Sequence, residues 1–324
     1  MAETEGLLLT VTEVRAETSL IRSISLARPH REPLPSWQPG AHIRVRLPNG
    51  DDRSYSLINL RSDPHATTRP DAYRLGVRLE DPSAGGSRYM HALRPGDWVG
   101  VLPPANNFPL EPGPQPVVLV AGGIGITPIM SMAAALAAEG RPYRLHYAGR
   151  ARGHLAFVDN IAQLCGERLS LHTDDTAGAV FDVPALFASL RGGEPVYCCG
   201  PRGMIDAAIG TAKALGWKKG RLRFELFTAA APQAGDQSFE VVLKSSGESF
   251  LIPPDKSILD VLIEAGKDPL HDCKRGDCGI CQVHVLEGVP DHRDYILSDA
   301  EKAEGNMMQI CVSRSKTARL VIDL

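Results

Sequence analysis

The sequence of 324 residues lacks the features that mark several classes of protein. It contains no run of about 18 apolar residues, so no segment is typical of a membrane-spanning helix. Its first six residues contain no basic stretch that leads into an apolar one, so we expect no secretory signal and a cytoplasmic location. The net charge is only −3 and no basic run stands out, which argues against nucleic-acid binding.

Composition and length describe an ordinary globular protein. Hydrophobic residues make up 43% of the chain and charged residues 23%, and neither internal repeats nor low-complexity tracts are present. The chain is long enough for two or three domains that each bury a core.

Four of the seven cysteines follow a ligand pattern near the C-terminal end. Three lie in one short loop and one stands alone thirty residues later: Cys273, Cys278, Cys281 and Cys311. This C-x4-C-x2-C…C spacing is typical of plant-type 2Fe-2S clusters. Gly276 and Gly279 let the loop curl so that backbone N–H groups point at sulfur. The alternatives are a zinc site, disulfide bonds or free thiols, although zinc sites usually present two close cysteine pairs.

The other cysteines indicate a reducing compartment. They are Cys165, Cys198 and Cys199. Since adjacent cysteines are poor disulfide partners, a framework of disulfide bonds is not expected.

The first hundred residues predict antiparallel β-structure. Alternating or β-branched runs, separated by Pro and Gly turns, cover residues 7–14, 20–26, 42–47, 53–58, 73–79 and 98–101. Six short strands of this kind predict a closed barrel.

Two short motifs in this region could bind a ligand. The strand Arg53-Ser54-Tyr55-Ser56 can present a cation, an aromatic plane and hydroxyls, although any half-buried strand could have this pattern. The segment Gly85-Gly86-Ser87 opens a helical stretch, where free N–H groups suit a phosphate; it could equally be a plain capped helix.

The middle of the chain predicts a parallel sheet with a nucleotide site. The apolar run 116–121 leads into Gly122-Gly123-Ile124-Gly125-Ile126-Thr127-Pro128 and then a helix over 130–138, an arrangement suited to a pyrophosphate. The turn is not the G-x-G-x-x-G fingerprint. Further strands at 144–148, 169–172, 195–199 and 222–227 alternate with helices such as 155–164 and 204–215.

Ligands of such sheets gather at the carboxyl ends of the strands. Cys199-Gly200-Pro201 comes directly after the fourth strand, so it is expected at that edge. The simpler interpretation of Cys199 is a small buried apolar residue. After a small, polar linker at 229–237, runs 239–244 and 249–252 predict a hairpin and 258–265 a helix.

These elements, in this order, resemble one family. The chain is similar to phthalate dioxygenase reductase-type proteins, members of the ferredoxin–NADP reductase superfamily with a plant-type ferredoxin at the C-terminus. The resemblance covers nearly the whole chain. It implies a flavin-binding antiparallel β-barrel at 1–110, a nicotinamide-binding α/β domain with a parallel sheet at 114–228, the linker, and an α+β ferredoxin domain at 238–324.

The resemblance also implies roles for particular residues. Tyr55 would lie against the flavin ring and the serines near its reactive edge. The implied flavin residues are Arg53, Ser54, Tyr55 and Ser56, with Gly85, Gly86 and Ser87 at the phosphate and Phe227 as a weaker candidate. The implied nicotinamide residues are Gly122, Gly123, Gly125, Thr127, Cys199, Gly200 and Pro201. Ser56 and Cys199 would lie closest to the reacting atoms.

Members with this domain order generally use FMN, and the resemblance favours NADH. FAD remains an alternative, because some related reductases use it. Ala84 stands where an arginine commonly precedes Gly-Gly-Ser and pairs with the phosphate, and Arg78 or Arg88 could substitute for that arginine. NADPH also remains open, since Arg150 and Arg152 follow the second strand of the sheet and could meet a 2′-phosphate.

The function implied is a reductase that passes electrons from NADH through flavin and the cluster to a separate protein, most often a Rieske-type oxygenase or demethylase. Lys274 and Arg275 on the cluster loop are expected to be exposed where that partner docks. The alternatives are a cytochrome P450 or other monooxygenase as acceptor, or a nonenzymatic zinc-binding sensor or scaffold.

Overall fold

The computed structural model of the chain describes residues 6–30, 32–61, 63, 65–81, 83, 85–228 and 232–324. Ala84, and residues 229–231 of the linker, lie outside the described residues. The chain forms two compact units, Met1–Glu225 and Leu226–Leu324. The four domain limits given above stay predictions. None of the described helices is long and apolar enough to cross a membrane.

The first half of unit one is the antiparallel barrel. Its strands are β1 (Leu7–Ala16), β2 (Ile21–Ala27), β3 (His42–Arg46), β4 (Asp52–Ser56), β5 (Tyr73–Arg78) and β6 (Trp98–Val101), with helices α1 (His65–Thr68) and α2 (Gly86–Ala92). The sheet order is β4-β3-β6-β1-β2-β5. A bridge from Leu57 to Leu75 links the two outer strands, and the Ile58 N–H donates to the Arg74 carbonyl at 2.9 Å. These bonds close the barrel, as expected.

The second half of unit one is the parallel sheet with helices. The strands are β7 (Val117–Gly122), β8 (Tyr143–Gly149), β9 (Leu169–Thr173), β10 (Val196–Cys199) and β11 (Leu222–Glu225), in the order β11-β10-β7-β8-β9. The helices are α3 (Ile126–Ala138), α4 (Val158–Cys165), α5 (Asp174–Ala177), α6 (Val183–Ser189) and α7 (Arg202–Ala214). Strand β7 is buried along its whole length, as its apolar run predicted. After β7 the chain adds β8 and β9 on one side of it, and then β10 and β11 on the other side. The carboxyl end of β7 is therefore the switch point of the sheet.

The starts of α3 and α4 differ most from the sequence prediction. A 3-10 turn at Gly123–Gly125 runs directly into α3, which therefore begins at Ile126 rather than 130, with Pro128 in its first turn. Helix α4 begins at Val158 rather than 155, because Phe157 takes a left-handed conformation (φ 59°) that cannot continue a helix.

The second unit has a mixed sheet with short helices. Its strands are β12 (Phe239–Leu243), β13 (Ser249–Ile252), β14 (Gln282–Glu287), β15 (Pro290–Asp291), β16 (Met307–Gln309), β17 (Arg314–Ser315) and β18 (Arg319–Asp323), with α8 (Ile258–Glu264) and α9 (Asp299–Glu304). The main sheet has the order β13-β12-β18-β14-β16, with β12 parallel to β18. Ser257 and Asp260 form a capping box at α8. The predicted hairpin, helix and α+β class are confirmed.

A buried charge cluster fixes the start of this unit. The Asp236 carboxylate accepts two hydrogen bonds from Arg293, at 2.9 and 2.5 Å, and lies 3.8 Å from the Nε of Arg314. The side chains of Asp236 and Arg293 are 7% and 12% exposed. Hydrogen bonds from Arg293 lower the pKa of Asp236 to about 2. A residue of the predicted linker is therefore held against the cluster-bearing unit.

We expect Asp236→Asn to destabilise this unit by about 1–3 kcal/mol at pH 7, because Arg293 and Arg314 are buried and both lose the Asp236 carboxylate. The pKa of Asp236 is lower in the folded protein than its ordinary value of 3.8, so the stabilisation is present above about pH 4 and is lost as the pH falls towards 2. The difference in Tm between wild type and variant should thus stay constant from pH 7 to 5.

The matched control is Asp268→Asn, since Asp268 is exposed in the same unit. An Asp236→Asn protein with the wild-type Tm at pH 7 would show that the charge cluster contributes nothing.

Candidate functional site

The glycine-rich turn after β7 touches the segment after β10. Ala121 pairs with Cys199 across the two parallel strands, so both segments leave the sheet at the same edge. A Cβ on Gly125 would lie 2.2 Å from the Cys199 carbonyl oxygen, and one on Gly122 would lie 2.6 Å from Pro201 Cδ. Any side chain at these glycines would collide with that segment. The structure thus brings the two nicotinamide motifs of the sequence together at the switch point of the sheet.

Thr127 and Cys199 are both buried at this edge. The Thr127 hydroxyl donates to the Ile124 carbonyl at 3.0 Å, which holds the end of the turn. The Cys199 side chain is 0% exposed, and burial raises the pKa of the adjacent Cys198 to about 12. The Cys198 thiol therefore stays neutral at physiological pH. The burial of Cys199 agrees with the simpler interpretation of the sequence, a small buried apolar residue, and its role near the nicotinamide stays a prediction.

The two flavin motifs also meet. A Cβ on Gly86 would lie 2.7 Å from Arg53 Cγ and 3.1 Å from the Tyr55 hydroxyl. Burial raises the pKa of Tyr55, so its hydroxyl remains a hydrogen-bond donor. Ser56, at the end of the same strand, is 5% exposed. An aromatic ring, a cation and hydroxyls beside a small-residue segment fit a planar, phosphorylated cofactor such as a flavin.

The arginines around this segment face carboxylates. The Arg53 guanidinium donates to Asp51 at 3.1 Å. Arg78 lies 3.2 Å from Glu80, and Arg88 lies 3.3 Å from Asp81. A phosphate bound here would compete with these carboxylates for the guanidinium donors.

The hydroxyl of Ser87 takes part in the same loop. It accepts the Glu80 N–H at 3.1 Å and lies 2.9 Å from the Ser83 hydroxyl. It thereby ties the start of α2 to the end of the preceding strand segment.

The four cysteines of the second unit come together. The Cys278 and Cys311 thiols lie beside Cys273 and lower its pKa, and the Cys281 thiol lies beside Cys311; all four cysteines are free. The Arg275 N–H donates to Cys273 Sγ at 3.3 Å. Gly276 has a φ of +80°, and a Cβ there would lie 2.7 Å from Val312. The loop curls and donates N–H groups to sulfur, as the sequence predicted.

This donor set fits a two-iron cluster. Among the residues that the structure describes, no group of three or more His, Cys, Asp or Glu side chains is placed to hold a metal ion. Each iron of a 2Fe-2S cluster takes only two protein sulfurs, so four thiols that neighbour one another in pairs are a donor set that suits this group.

The expectation that Arg275 is exposed was wrong. Its side chain is 11% exposed and its Nε lies 3.9 Å from the Asp277 carboxylate. Asp277, which the sequence analysis missed, also accepts the Leu226 N–H at 3.0 Å, and burial raises its pKa to about 7. Only Lys274 of the expected pair is exposed. Phe227 is partly buried within unit two, and its place near a flavin stays a prediction.

Comparisons with known proteins agree with this geometry. Residues 241–316 match the family model of the 2Fe-2S iron-sulfur cluster binding domain. Tetrachlorobenzoquinone reductase of Sphingobium chlorophenolicum is 41% identical over 98% of this chain and 97% of its own length. The solved structure of phthalate dioxygenase reductase is 36% identical, with a TM-score of 0.73, over 98% of both chains. The chain belongs to the phthalate dioxygenase reductase family.

Membership of the phthalate dioxygenase reductase family establishes the chemistry. The chain is an NAD(P)H-dependent flavin iron–sulfur oxidoreductase, with FMN, NADH and a 2Fe-2S cluster as its cofactors. It is the reductase component that passes electrons to a partner oxygenase, as several relatives named for oxygenase and demethylase systems indicate. The zinc-binding alternative is thereby set aside.

A second solved structure extends the comparison. Full-length CYP116B46 from Tepidiphilus thermophilus is 39% identical, with a TM-score of 0.75, over 98% of this chain. The chain spans 42% of that protein's length.

We expect Gly125→Ala to weaken NADH binding at least tenfold, because the new methyl group would collide with the backbone of Cys199. The measurement is the NADH concentration dependence of anaerobic flavin reduction. Gly210→Ala is the control, since a Cβ at Gly210 in α7 would meet nothing within 4 Å. Unchanged NADH binding in Gly125→Ala would exclude this edge as the nicotinamide site.

We expect Cys311→Ser to lose at least half of the iron and sulfide of the purified protein, because a hydroxyl is a poor ligand for iron in a sulfur cluster. Flavin content should be unchanged. The control is Cys165→Ser, a buried cysteine of unit one whose sulfur lies 3.5 Å from the Tyr143 hydroxyl. Full iron content in Cys311→Ser would remove Cys311 from the ligand set.

Proposed function

We propose that the partner of this reductase is a Rieske-type oxygenase or demethylase and that the chain works in the cytoplasm. The observation that carries the proposal is that Cys273, Cys278 and Cys281 meet Cys311 from a loop that leaves Lys274 exposed. The family resemblance supports a Rieske partner, as do relatives named phthalate dioxygenase reductase and vanillate O-demethylase oxidoreductase. The cytoplasmic location rests on the cysteine pattern.

We further propose the cofactor assignment in unit one. Arg53, Ser54, Tyr55 and Ser56 bind the flavin, and Gly85, Gly86 and Ser87 bind its phosphate. The nicotinamide cofactor lies over the turn Gly122, Gly123, Gly125 and Thr127, and beside Cys199, Gly200 and Pro201. The contact of each motif with its counterpart supports this assignment.

When bound, flavin takes a hydride from a nicotinamide and returns electrons one at a time, which suits a one-electron cluster. The residues themselves bind, orient and exclude water. Tyr55 offers a ring and a protonated hydroxyl, Ser56 a buried hydroxyl, and Cys199 an apolar wall. None of them needs to move a proton.

Two of the four ligand cysteines lie close to the protein surface. Cys273 and Cys278 are partly exposed, whereas Cys281 and Cys311 are buried. A partner that docks over Lys274 would therefore approach the exposed side of the cluster, and a cationic group there favours a partner with a negative patch.

A second candidate partner is a cytochrome P450. The observation that favours it is the similarity of this chain, over 98% of its length, to part of an intact type IV self-sufficient cytochrome P450 monooxygenase, at 36% identity and a TM-score of 0.74. A separate P450, or another monooxygenase, would take electrons from the same cluster.

The two candidate partners can be distinguished by the rate at which each accepts electrons from the reductase. We expect NADH oxidation to rise at least ten times more with the purified Rieske oxygenase component of a phthalate dioxygenase system than with a substrate-bound cytochrome P450 at equal concentration. Lys274→Glu should slow the transfer to the Rieske component at low salt and less at high salt. Lys244→Glu is the control, because Lys244 is exposed in the same unit.

Cys311→Ser should reduce both acceptors more slowly, in proportion to the iron that it has lost, which would show that electrons leave through the cluster. Faster reduction of the P450 would overturn the Rieske assignment.

A further inference from the structure

One buried hydroxyl joins the two halves of unit one. Ser131 lies on α3, the helix that begins at the glycine-rich turn, and is 1% exposed. Its Oγ donates to the Leu57 carbonyl at 2.8 Å and accepts the Asn59 N–H at 2.8 Å. Leu57 directly follows Ser56, the last residue of β4. A single side chain therefore links the strand that carries the flavin motif to the helix of the nicotinamide motif.

The rest of this strand segment is tied to the barrel. The Leu57 N–H donates to the Ala41 carbonyl at 2.8 Å, and the Ile58 N–H to the Arg74 carbonyl at 2.9 Å. The barrel thus holds residues 57–59 in place, and the hydrogen bonds of Ser131 fix α3 relative to them.

A second close approach lies one helical turn away. A Cβ on Gly76 of β5 would lie 2.8 Å from Thr127 Cγ2, 3.1 Å from Ile58 Cδ1 and 3.2 Å from Phe157 Cε2. Thr127 and Ser131 are four residues apart on α3 and so share one face of that helix. The barrel wall is therefore pressed against the first turn of α3, and a larger residue at position 76 would push them apart.

The strained conformation of Phe157 belongs to the same contact. Phe157 is 4% exposed and has a φ of 59°, which is unusual for a bulky residue. Its ring lies beside Gly76, as the Thr127 side chain also does.

We propose that Ser131 is a positioning residue for hydride transfer, acting with Gly76 to set the distance between the flavin strand and the nicotinamide turn. Ser131 acts through Leu57 and Asn59 and through α3, and it does not touch either cofactor. The inference rests on the electron-transfer function described above. The distance set by Ser131 and Gly76 should strongly affect the rate of hydride transfer, because a displacement of about 1 Å between reacting groups can lower a rate on the order of a hundredfold.

Ser131→Ala tests the proposal by removing both hydrogen bonds. In anaerobic stopped-flow experiments on the holoprotein, the rate constant of flavin reduction at saturating NADH should fall at least tenfold, while the NADH Kd changes less than threefold. Hydrogen–deuterium exchange at the Asn59 amide should become faster, a readout independent of activity.

Tyr73→Phe is the matched control. It removes another buried hydroxyl of the barrel, which donates to the Pro35 carbonyl at 2.8 Å. It should leave the rate constant within twofold of wild type and the exchange at Asn59 unchanged, so a general loss of barrel stability is distinguished from a loss of position.

Gly76→Ala changes the same contact from the barrel side. It keeps both hydrogen bonds of Ser131, but the added methyl group pushes β5 away from Thr127 on α3. Gly76→Ala should also lower the rate constant of flavin reduction at least tenfold. If Ser131→Ala is purified without flavin, Gly76→Ala alone tests the proposal. A flavin-loaded variant with a rate constant within twofold of wild type would overturn the proposal. A wild-type protein that NADH does not reduce would instead overturn the electron-transfer function itself.

Discussion

A mismatch in electron number governs this molecule. A nicotinamide gives up two electrons as a hydride, whereas an iron–sulfur cluster takes one at a time, so a flavin has to stand between them. Each of the three groups needs different surroundings. The flavin needs a flat polar slot, the nicotinamide cofactor needs a sheet edge where a backbone turn can approach it, and the cluster needs a loop of sulfurs with inward N–H groups. The chain provides these with an antiparallel barrel, a parallel sheet and a small mixed sheet.

Close backbone approach is the means by which the first two sites are built. Gly125 lets its turn touch the Cys199 carbonyl, Gly86 lets its helix start touch Arg53 and Tyr55, and Gly76 lets the barrel touch α3. At each point a side chain would force the two segments apart. The distances that matter for hydride transfer thus depend on the absence of side chains as much as on the groups that bind the cofactors.

The sequence predicted the features that depend on local spacing. The cluster loop could be recognised because three ligands lie within nine residues, from Cys273 to Cys281. The turn at Gly122–Gly125 could be recognised from the apolar strand that precedes it. Its contact with Cys199 followed from a general rule about parallel sheets rather than from the residues themselves.

Features that depend on the folded conformation of the chain were not predictable. Arg275 was expected at the surface, because its pairing with Asp277 is visible only in the folded loop. The pairing of Ser131 with Leu57 and Asn59 joins residues more than seventy positions apart. The late start of α4 depends on the left-handed Phe157, whose sequence gives no sign of that conformation.

The most direct test of the account is an anaerobic NADH titration followed by visible absorption, with iron, sulfide and flavin assayed on the same sample. Flavin and cluster together accept about three electrons, so their bands should bleach together and reach an end point at about 1.5 equivalents of NADH per chain. An end point at about one equivalent, with the cluster bands unchanged or with zinc in place of iron, would contradict the account.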